Sequence, residues 1–233
     1  MNNYSSYPLN RFFFLFFVLL SLLLVSCVDL SGTASAEKKE RTRAALKGIK
    51  VDKKLGEVHT MRGGLGVFSK GMNQLKTAAT ERYHVPASSS MWYNAGDVSR
   101  SIVDYYYKNP NHRPIILIGH SLGANEQIKV ARNLDKLGIP VALLVTVDAV
   151  SQTRVPGNVQ HALNIYKPGF VPMFSGLKLK AVNPSSTRID NINVNELKNI
   201  HVNHFTIDKD EKLKEIILTE VEKVLNNGTR KQA

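Results

Sequence analysis

The chain has 233 residues and a formal net charge of +12, with 43% hydrophobic and 21% charged residues. This is the composition of an ordinary globular protein, and the lack of a repeat with a period of about 20–50 residues argues against a solenoid. The single cysteine, Cys27, excludes an intramolecular disulfide and a cysteine-based metal site.

The Lys and Arg residues are scattered along the chain, and no nucleic-acid motif interleaves them with aromatic residues. The positive charge therefore fits a solvated basic surface best, and we expect no nucleic-acid partner. Attraction to anionic lipid or to polyanionic envelope material stays open as a second interpretation.

The N-terminal segment has the pattern of an export signal. Arg11 precedes an apolar run, Phe12–Val25, that is shorter than the about 20 residues a membrane-spanning helix needs. A short apolar core behind a positive charge is typical of a signal peptide. We therefore predict a signal peptide over residues 1–27 and a flexible or partly helical tether over 28–55.

Two processing sites compete within this segment. Leu24–Cys27 resembles a bacterial lipobox, which implies that Cys27 becomes the lipidated first residue of the mature chain, whereas Ala34–Ala36 resembles an ordinary A-x-A cleavage site. We favour a lipoprotein on the periplasmic face of the envelope, anchored to the membrane through a lipid on Cys27. Because Val28 rather than Asp follows the cysteine, the outer membrane is favoured. Plain secretion is the alternative.

Strand-like and helix-like segments alternate from Gly56 onward. The run 114–119 is continuously apolar, as expected of a strand that is covered on both faces of a parallel sheet, and 141–147 reads as a second fully buried strand. The alternation predicts an α/β fold with a mostly parallel central sheet and helices on both faces, over residues 56–226, followed by a disordered tail over 227–233. In chain order we predict a strand (58–61), a helix (67–81), a strand (85–93), a helix (97–108), a strand (114–119), a helix (122–137), two strands (141–147 and 162–166) and a closing helix (209–225).

Gly119–Gly123 reads Gly-His-Ser-Leu-Gly and follows the strongest predicted strand. A serine nucleophile projects from a sharp turn between strand and helix, and small residues must stand two positions before and after it. The helix that begins beside Ser121 directs backbone N–H groups at any oxyanion that develops there. The pattern predicts Ser121 as a nucleophile.

On these residues the chain resembles the α/β-hydrolase superfamily, in particular its small lipase-like and thioesterase-like serine hydrolases. The similarity extends over roughly 56–225 and is most specific over 115–124. It implies a three-layer α/β-hydrolase fold, a catalytic triad in the chain order serine, acid, histidine, and cleavage of carboxylic esters or thioesters through an acyl-enzyme.

The resemblance also implies the acid and the base. Asp148 directly follows the strand 141–147, at the functional edge of the sheet, and Asp190 is the alternative acid. His204 precedes the closing helix, where the family's histidine lies, and His201 is the alternative base. We interpret His120, inside the serine turn, as structural.

Two backbone N–H groups should form the oxyanion hole. The first belongs to Leu122, the residue after the nucleophile, and the second to Gly63 or Gly64 in the glycine-rich loop after the first strand. In place of the family's usual His-Gly start the loop has Arg62-Gly63, which leaves the choice between the two glycines open.

No metal-ligand spacing and no phosphate-loop lysine accompany these motifs, so we expect neither metal nor cofactor. We expect a serine hydrolase with an acyl ester substrate, and the basic charge with the predicted anchor favours lipid or envelope esters. The apolar, turn-rich segment 168–174 either lines an acyl pocket or packs on the core. An acyltransferase with the same triad and a non-catalytic envelope lipoprotein are the alternatives. The oligomeric state is left open.

Overall fold

The computed structural model describes residues 56–64, 66, 69–151, 154–171 and 174–230. The predicted signal peptide, the lipidation site Cys27 and the tether over 28–55 lie outside these residues, and so does the end of the chain, 231–233. Within the described ranges, no helix is both long enough and apolar enough to cross a membrane.

Six parallel strands form the central sheet, in the order β2-β1-β3-β4-β6-β8. A separate two-stranded parallel sheet pairs β5 with β7. The strands are β1 (Glu57–Arg62), β2 (Ala87–Met91), β3 (Ile115–His120), β4 (Val141–Val147), β5 (Arg154–Val155), β6 (Val159–Tyr166), β7 (Lys180–Ala181) and β8 (Arg188–Asn193).

Among the residues described, four α-helices cover the two faces of the sheet: α1 (Lys70–Tyr83), α2 (Ala95–Lys108), α3 (Leu122–Asp135) and α4 (Glu211–Arg230). Helices α1 and α4 pack on one face, where Met72, Leu75 and Ile217 meet Ile116 and Ile118. Helices α2 and α3 pack on the other face in a second apolar cluster. These three layers confirm the predicted α/β fold with a parallel central sheet.

The continuous apolar runs became the central strands because both of their faces are covered. Every residue of β3 is buried, and in β4 only Ala142 is partly exposed. At one edge of the sheet, β8 (Arg-Ile-Asp-Asn-Ile-Asn) has no fully buried residue. A half-exposed edge strand carries little apolar pattern, which explains why the sequence did not indicate it.

The last helix is longer than predicted. Helix α4 continues to Arg230, whereas the sequence predicted that the closing helix ends at residue 225. Asn226, Asn227 and Gly228 are poor helix formers, which suggested an end. Each residue added to an existing helix gains a backbone hydrogen bond without the cost of nucleation, so weak formers can extend it.

Candidate active site

The turn between β3 and α3 places Ser121 at the carboxyl end of the most buried strand. Its backbone is strained, with φ 57° and ψ −126°. The turn is also crowded: a Cβ on Gly119 would lie 2.4 Å from the carbonyl oxygen of Gly123, and one on Gly123 would lie 2.3 Å from that of Met61. Only glycine fits at either position, as the serine-turn motif requires.

Backbone hydrogen bonds hold Ser121 and Asp148 in register. The amide of Ser121 donates to the carbonyl of Val147 at 2.9 Å, and that of Asp148 donates to the carbonyl of Ile165 at 2.8 Å. Both bonds continue the parallel ladders one residue beyond the strands, so the two side chains emerge at the same edge of the sheet. Asp148, like Ser121, has a positive φ, 53°.

His204 joins these two residues from the segment before α4. Its Nε2 lies 2.8 Å from Ser121 Oγ, and its Nδ1 lies 2.7 Å from Asp148 Oδ2. All three residues are buried, and Asp148 is completely so. Since a carboxylate only accepts, Nδ1 carries the proton and Nε2 accepts the proton of the serine hydroxyl. In this arrangement the imidazole can remove the proton from Ser121.

Asp148 is bound at both of its oxygens. Oδ1 accepts the amide N–H of Lys167 at 2.7 Å, while Oδ2 faces His204. Gly176 closes the other side, because a Cβ there would lie 2.0 Å from Oδ1. Two donors compensate the burial of the charge and orient the carboxylate.

Aromatic side chains surround the imidazole. The ring centroid of His204 lies 5.4 Å from that of Phe174 and 5.5 Å from that of Phe205. Both of these phenylalanine side chains are exposed, and Phe170 is fully exposed. The described residues of the apolar segment 168–174 are therefore at the surface rather than packed on the core, and Phe174 among them lies against His204.

The loop after β1 brings both candidate oxyanion glycines to the serine turn. A Cβ on Gly63 would lie 2.8 Å from Ser121 Cβ, and one on Gly64 would lie 3.2 Å from Leu122 Cδ1. The amide of Gly63 already donates to Ser69 Oγ at 3.0 Å. Among the hydrogen bonds of the described residues, none engages the amide of Gly64 or Leu122.

The alternative acid and base lie elsewhere. Asp190 stands in β8 and pairs with His161 at 2.9 Å and with Arg188 at 3.0 Å. His201 is exposed, and no hydrogen bond or ion pair within the described ranges involves it. Neither residue is bonded to Ser121 or His204 there.

Ser69 and Asp208, together with His120, support the site in ways that the sequence did not predict. His120 bonds Ser69 Oγ and the carbonyl of His204, and burial lowers the pKa of its ring to about 3. Asp208 Oδ2 accepts the amide of Gly71 at 2.8 Å. Burial raises the pKa of Asp208 to about 6, because Oδ1 is buried without a partner. The only signal in the sequence was the place of His120 inside the serine motif.

Within the part of the chain that the structure describes, no group of three or more His, Cys, Asp or Glu side chains is arranged to hold a metal ion.

We predict that Gly176→Ala disconnects Asp148 from His204, because the new Cβ would lie 2.0 Å from Asp148 Oδ1 and 2.9 Å from Tyr166 Cβ. The downfield proton NMR signal of His204 Nδ1–H should disappear, with a loss of about 1–3 kcal/mol in the free energy of unfolding. Gly169→Ala in the same loop is the control, since its Cβ would meet nothing closer than 3.8 Å. A retained signal in Gly176→Ala would contradict the prediction.

We predict that Asp208→Asn changes how stability depends on pH. Because the pKa of Asp208 is about 6 in the folded chain, against 3.8 for a free aspartate, the folded state binds the extra proton between these values. The wild type should therefore lose about 1–3 kcal/mol of unfolding free energy, relative to the variant, as the pH rises from 4 to 7. Urea unfolding at several pH values measures this difference, and parallel curves would contradict it.

No family model and no curated protein sequence matches the chain. Among solved structures, it is similar to human thioesterase 2 (9% identity, TM-score 0.45, covering 74% of this chain and 97% of that one). It is also similar to the type II thioesterase BorB from the borrelidin biosynthetic cluster (11% identity, TM-score 0.40, covering 71% of this chain and 93% of that one). A metagenomic carboxyl esterase is similar as well (11% identity, TM-score 0.40, covering 76% of this chain and 77% of that one). These likenesses are distant and identify no substrate for this chain.

The chain's own geometry gives the fold class. Six parallel strands lie between helices, a serine stands on the strained turn after a central strand, and the site residues follow in the order serine, aspartate, histidine. This is the arrangement of an α/β-hydrolase fold.

Proposed function

We propose that this chain is a serine hydrolase that cleaves carboxylic esters or thioesters through an acyl-enzyme. The observation that carries the proposal is the continuous hydrogen-bonded path from Ser121 Oγ through the His204 ring to the buried Asp148 carboxylate, 2.8 and 2.7 Å long. A serine hydroxyl is a weak nucleophile at its own pKa, and an adjacent base oriented by a third group is what activates it.

In the proposed reaction, Ser121 Oγ attacks the carbonyl carbon of the ester while His204 Nε2 takes the hydroxyl proton. Collapse of the tetrahedral intermediate breaks the bond to the alcohol or thiol, and His204 returns the proton to that leaving group. Water, activated by the same nitrogen, then attacks the acyl-enzyme and releases the acid. Asp148 keeps the imidazole in the required tautomer and stabilises the imidazolium.

We assign the oxyanion hole to the amides of Leu122 and Gly64. Leu122 is the first residue of α3, so its N–H has no partner inside the helix. Gly64 is preferred over Gly63 because the amide of Gly63 is used by Ser69. Removing one such donor typically costs about 10²–10³ in kcat.

Labelling of the full-length chain, purified in detergent, with a fluorophosphonate probe tests the nucleophile. We expect the wild type to be labelled and Ser121→Ala not to be, with ester turnover lower by about 10³–10⁶-fold in Ser121→Ala, His204→Ala and Asp148→Asn. His201→Ala is the matched control and should keep wild-type turnover, because His201 makes no bond to the site.

The products of this assay separate the alternatives. Release of free acid supports hydrolysis, whereas an acylated product that accumulates when an alcohol or sugar is added would identify an acyltransferase with the same triad. A folded wild type that neither reacts with the probe nor turns over esters would overturn the proposal and favour a binding lipoprotein on a hydrolase fold.

We further propose that the substrate is an acyl ester presented at an anionic lipid or envelope surface. Phe174 and Phe205 are in ring contact with His204 and with each other and are exposed, and Phe170 and Val171 expose apolar side chains in the segment just before Phe174. Exposed aromatic side chains at the mouth of a site suit acyl chains, and the net charge of +12 favours an anionic surface.

Vesicles test this surface directly. Turnover of a long-chain ester should rise when it is presented in phosphatidylglycerol rather than phosphatidylcholine vesicles, and Phe170→Ser should reduce that gain while leaving a short soluble ester unaffected. Val182→Ser, at an exposed apolar residue outside the aromatic cluster, is the control. Turnover of short soluble esters alone, without gain from anionic vesicles, would exclude a lipid surface as the site of the substrate.

For the location of the chain, we propose export and lipidation at Cys27, on the strength of the lipobox-like Leu24–Cys27. In a Gram-negative host the mature chain should begin at Cys27, carry acyl groups and sediment with outer membranes, and Cys27→Ala should abolish the acylation. A mature chain that begins at Glu37 instead would indicate cleavage after Ala36 and plain secretion.

A further inference from the structure

His120 stands directly before the proposed nucleophile, yet neither of its ring nitrogens is bonded to Ser121. Nδ1 lies 2.8 Å from Ser69 Oγ, and Nε2 lies 2.8 Å from the carbonyl oxygen of His204. Only 1% of the residue is exposed. The ring therefore bridges the segment before α1 and the segment that carries the base.

The donor and acceptor of each hydrogen bond in this bridge are determined by the two backbone groups at its ends, the carbonyl of His204 and the amide of Gly63. The carbonyl of His204 can only accept, so Nε2 of His120 carries the proton and Nδ1 accepts the proton of the Ser69 hydroxyl. Ser69 Oγ in turn accepts the amide N–H of Gly63 at 3.0 Å. Burial keeps the ring neutral by lowering its pKa, as this pattern requires.

The hydroxyl of Ser69 is available for this bridge because another residue caps the first turn of α1. It is the N-cap residue of α1, but its hydroxyl makes no capping hydrogen bond. A serine in this position normally accepts a backbone N–H from the first turn. Here Asp208 accepts the amide of Gly71, in that turn, so the hydroxyl of Ser69 is left for Gly63 and His120.

We propose that His120 is a positioning residue that holds the general base and the oxyanion donors in fixed relation. Through Nε2 it fixes the main chain of His204, and through Ser69 it holds the amide of Gly63 away from the substrate, which leaves the amide of Gly64 for the oxyanion. The inference rests on the proposed function, because it assigns a role in that same reaction.

The decisive variant is Ser69→Ala, which removes the link between Gly63 and His120 and leaves the triad side chains in place. Per active site, counted by fluorophosphonate labelling, kcat should fall about 10- to 100-fold while KM changes less than about twofold. Affinity for a trifluoromethyl ketone, whose adduct with Ser121 carries an oxyanion, should fall by the same factor as kcat/KM. Ser69→Thr keeps the hydroxyl and should restore most of the activity.

Ser88→Ala is the matched control. Ser88 Oγ lies 3.0 Å from Nδ1 of His59, so this variant also breaks a serine–histidine hydrogen bond, an exposed one that joins β1 and β2. It should leave kcat and the affinity for the ketone unchanged. A fall equal to that of Ser69→Ala would show that the loss reflects general weakening of the sheet and would overturn the proposal.

The remaining outcomes are distinct. A wild type without labelling or turnover defeats the proposed function and the positioning role with it. An active wild type with unchanged kcat in Ser69→Ala, or a loss that Ser69→Thr does not restore, defeats the positioning role alone. Should Ser69→Ala fail to fold, the tautomer of His120 in the wild type decides: nitrogen NMR must show the proton on Nε2, and a proton on Nδ1 alone would overturn the proposal.

Discussion

The parallel register of β3, β4 and β6 is the constraint on which the site depends. Evenly spaced ladder bonds extend one residue past the ends of the strands and set the main chain of Ser121 and Asp148 side by side. Both residues then turn sharply with positive φ, which directs their side chains to the same edge. The strain at these two turns is sustained because β3, most of β4 and the inward face of α3 are buried.

Two buried carboxyl groups near His204, those of Asp148 and Asp208, differ in how far hydrogen bonds compensate their burial. Asp148 is offered the ring Nδ1–H of His204 and the amide of Lys167, one to each oxygen. Asp208 is offered the amide of Gly71 at Oδ2, and its Oδ1 is buried without a partner. Desolvation therefore dominates at Asp208 and raises its pKa, whereas both carboxylate oxygens of Asp148 are hydrogen-bonded.

The sequence predicted the central strands because their apolar runs reflect burial on both faces, and it pointed to Ser121, Asp148 and His204 because motif and chain order restrict each choice. It missed β8, whose edge position leaves no apolar run. It also missed Ser69, Asp208 and Gly176, because each acts on a partner far away in the chain. Local pattern cannot show such contacts, which depend on how the finished layers are stacked.

The capping of α1 has a consequence for how the chain is made. The first turn of α1 takes its cap from Asp208, which is synthesised 137 residues after Gly71. The C-terminal segment must therefore dock before three hydrogen-bonded features are complete. These are the first turn of α1, the hydroxyl of Ser69 and the loop that carries Gly63. Contacts of such long sequence separation must first overcome the entropy of closing the loop between the two residues. A nascent chain therefore lacks the completed network of Ser69, His120 and Gly63, and gains it only when its C-terminal segment joins the domain.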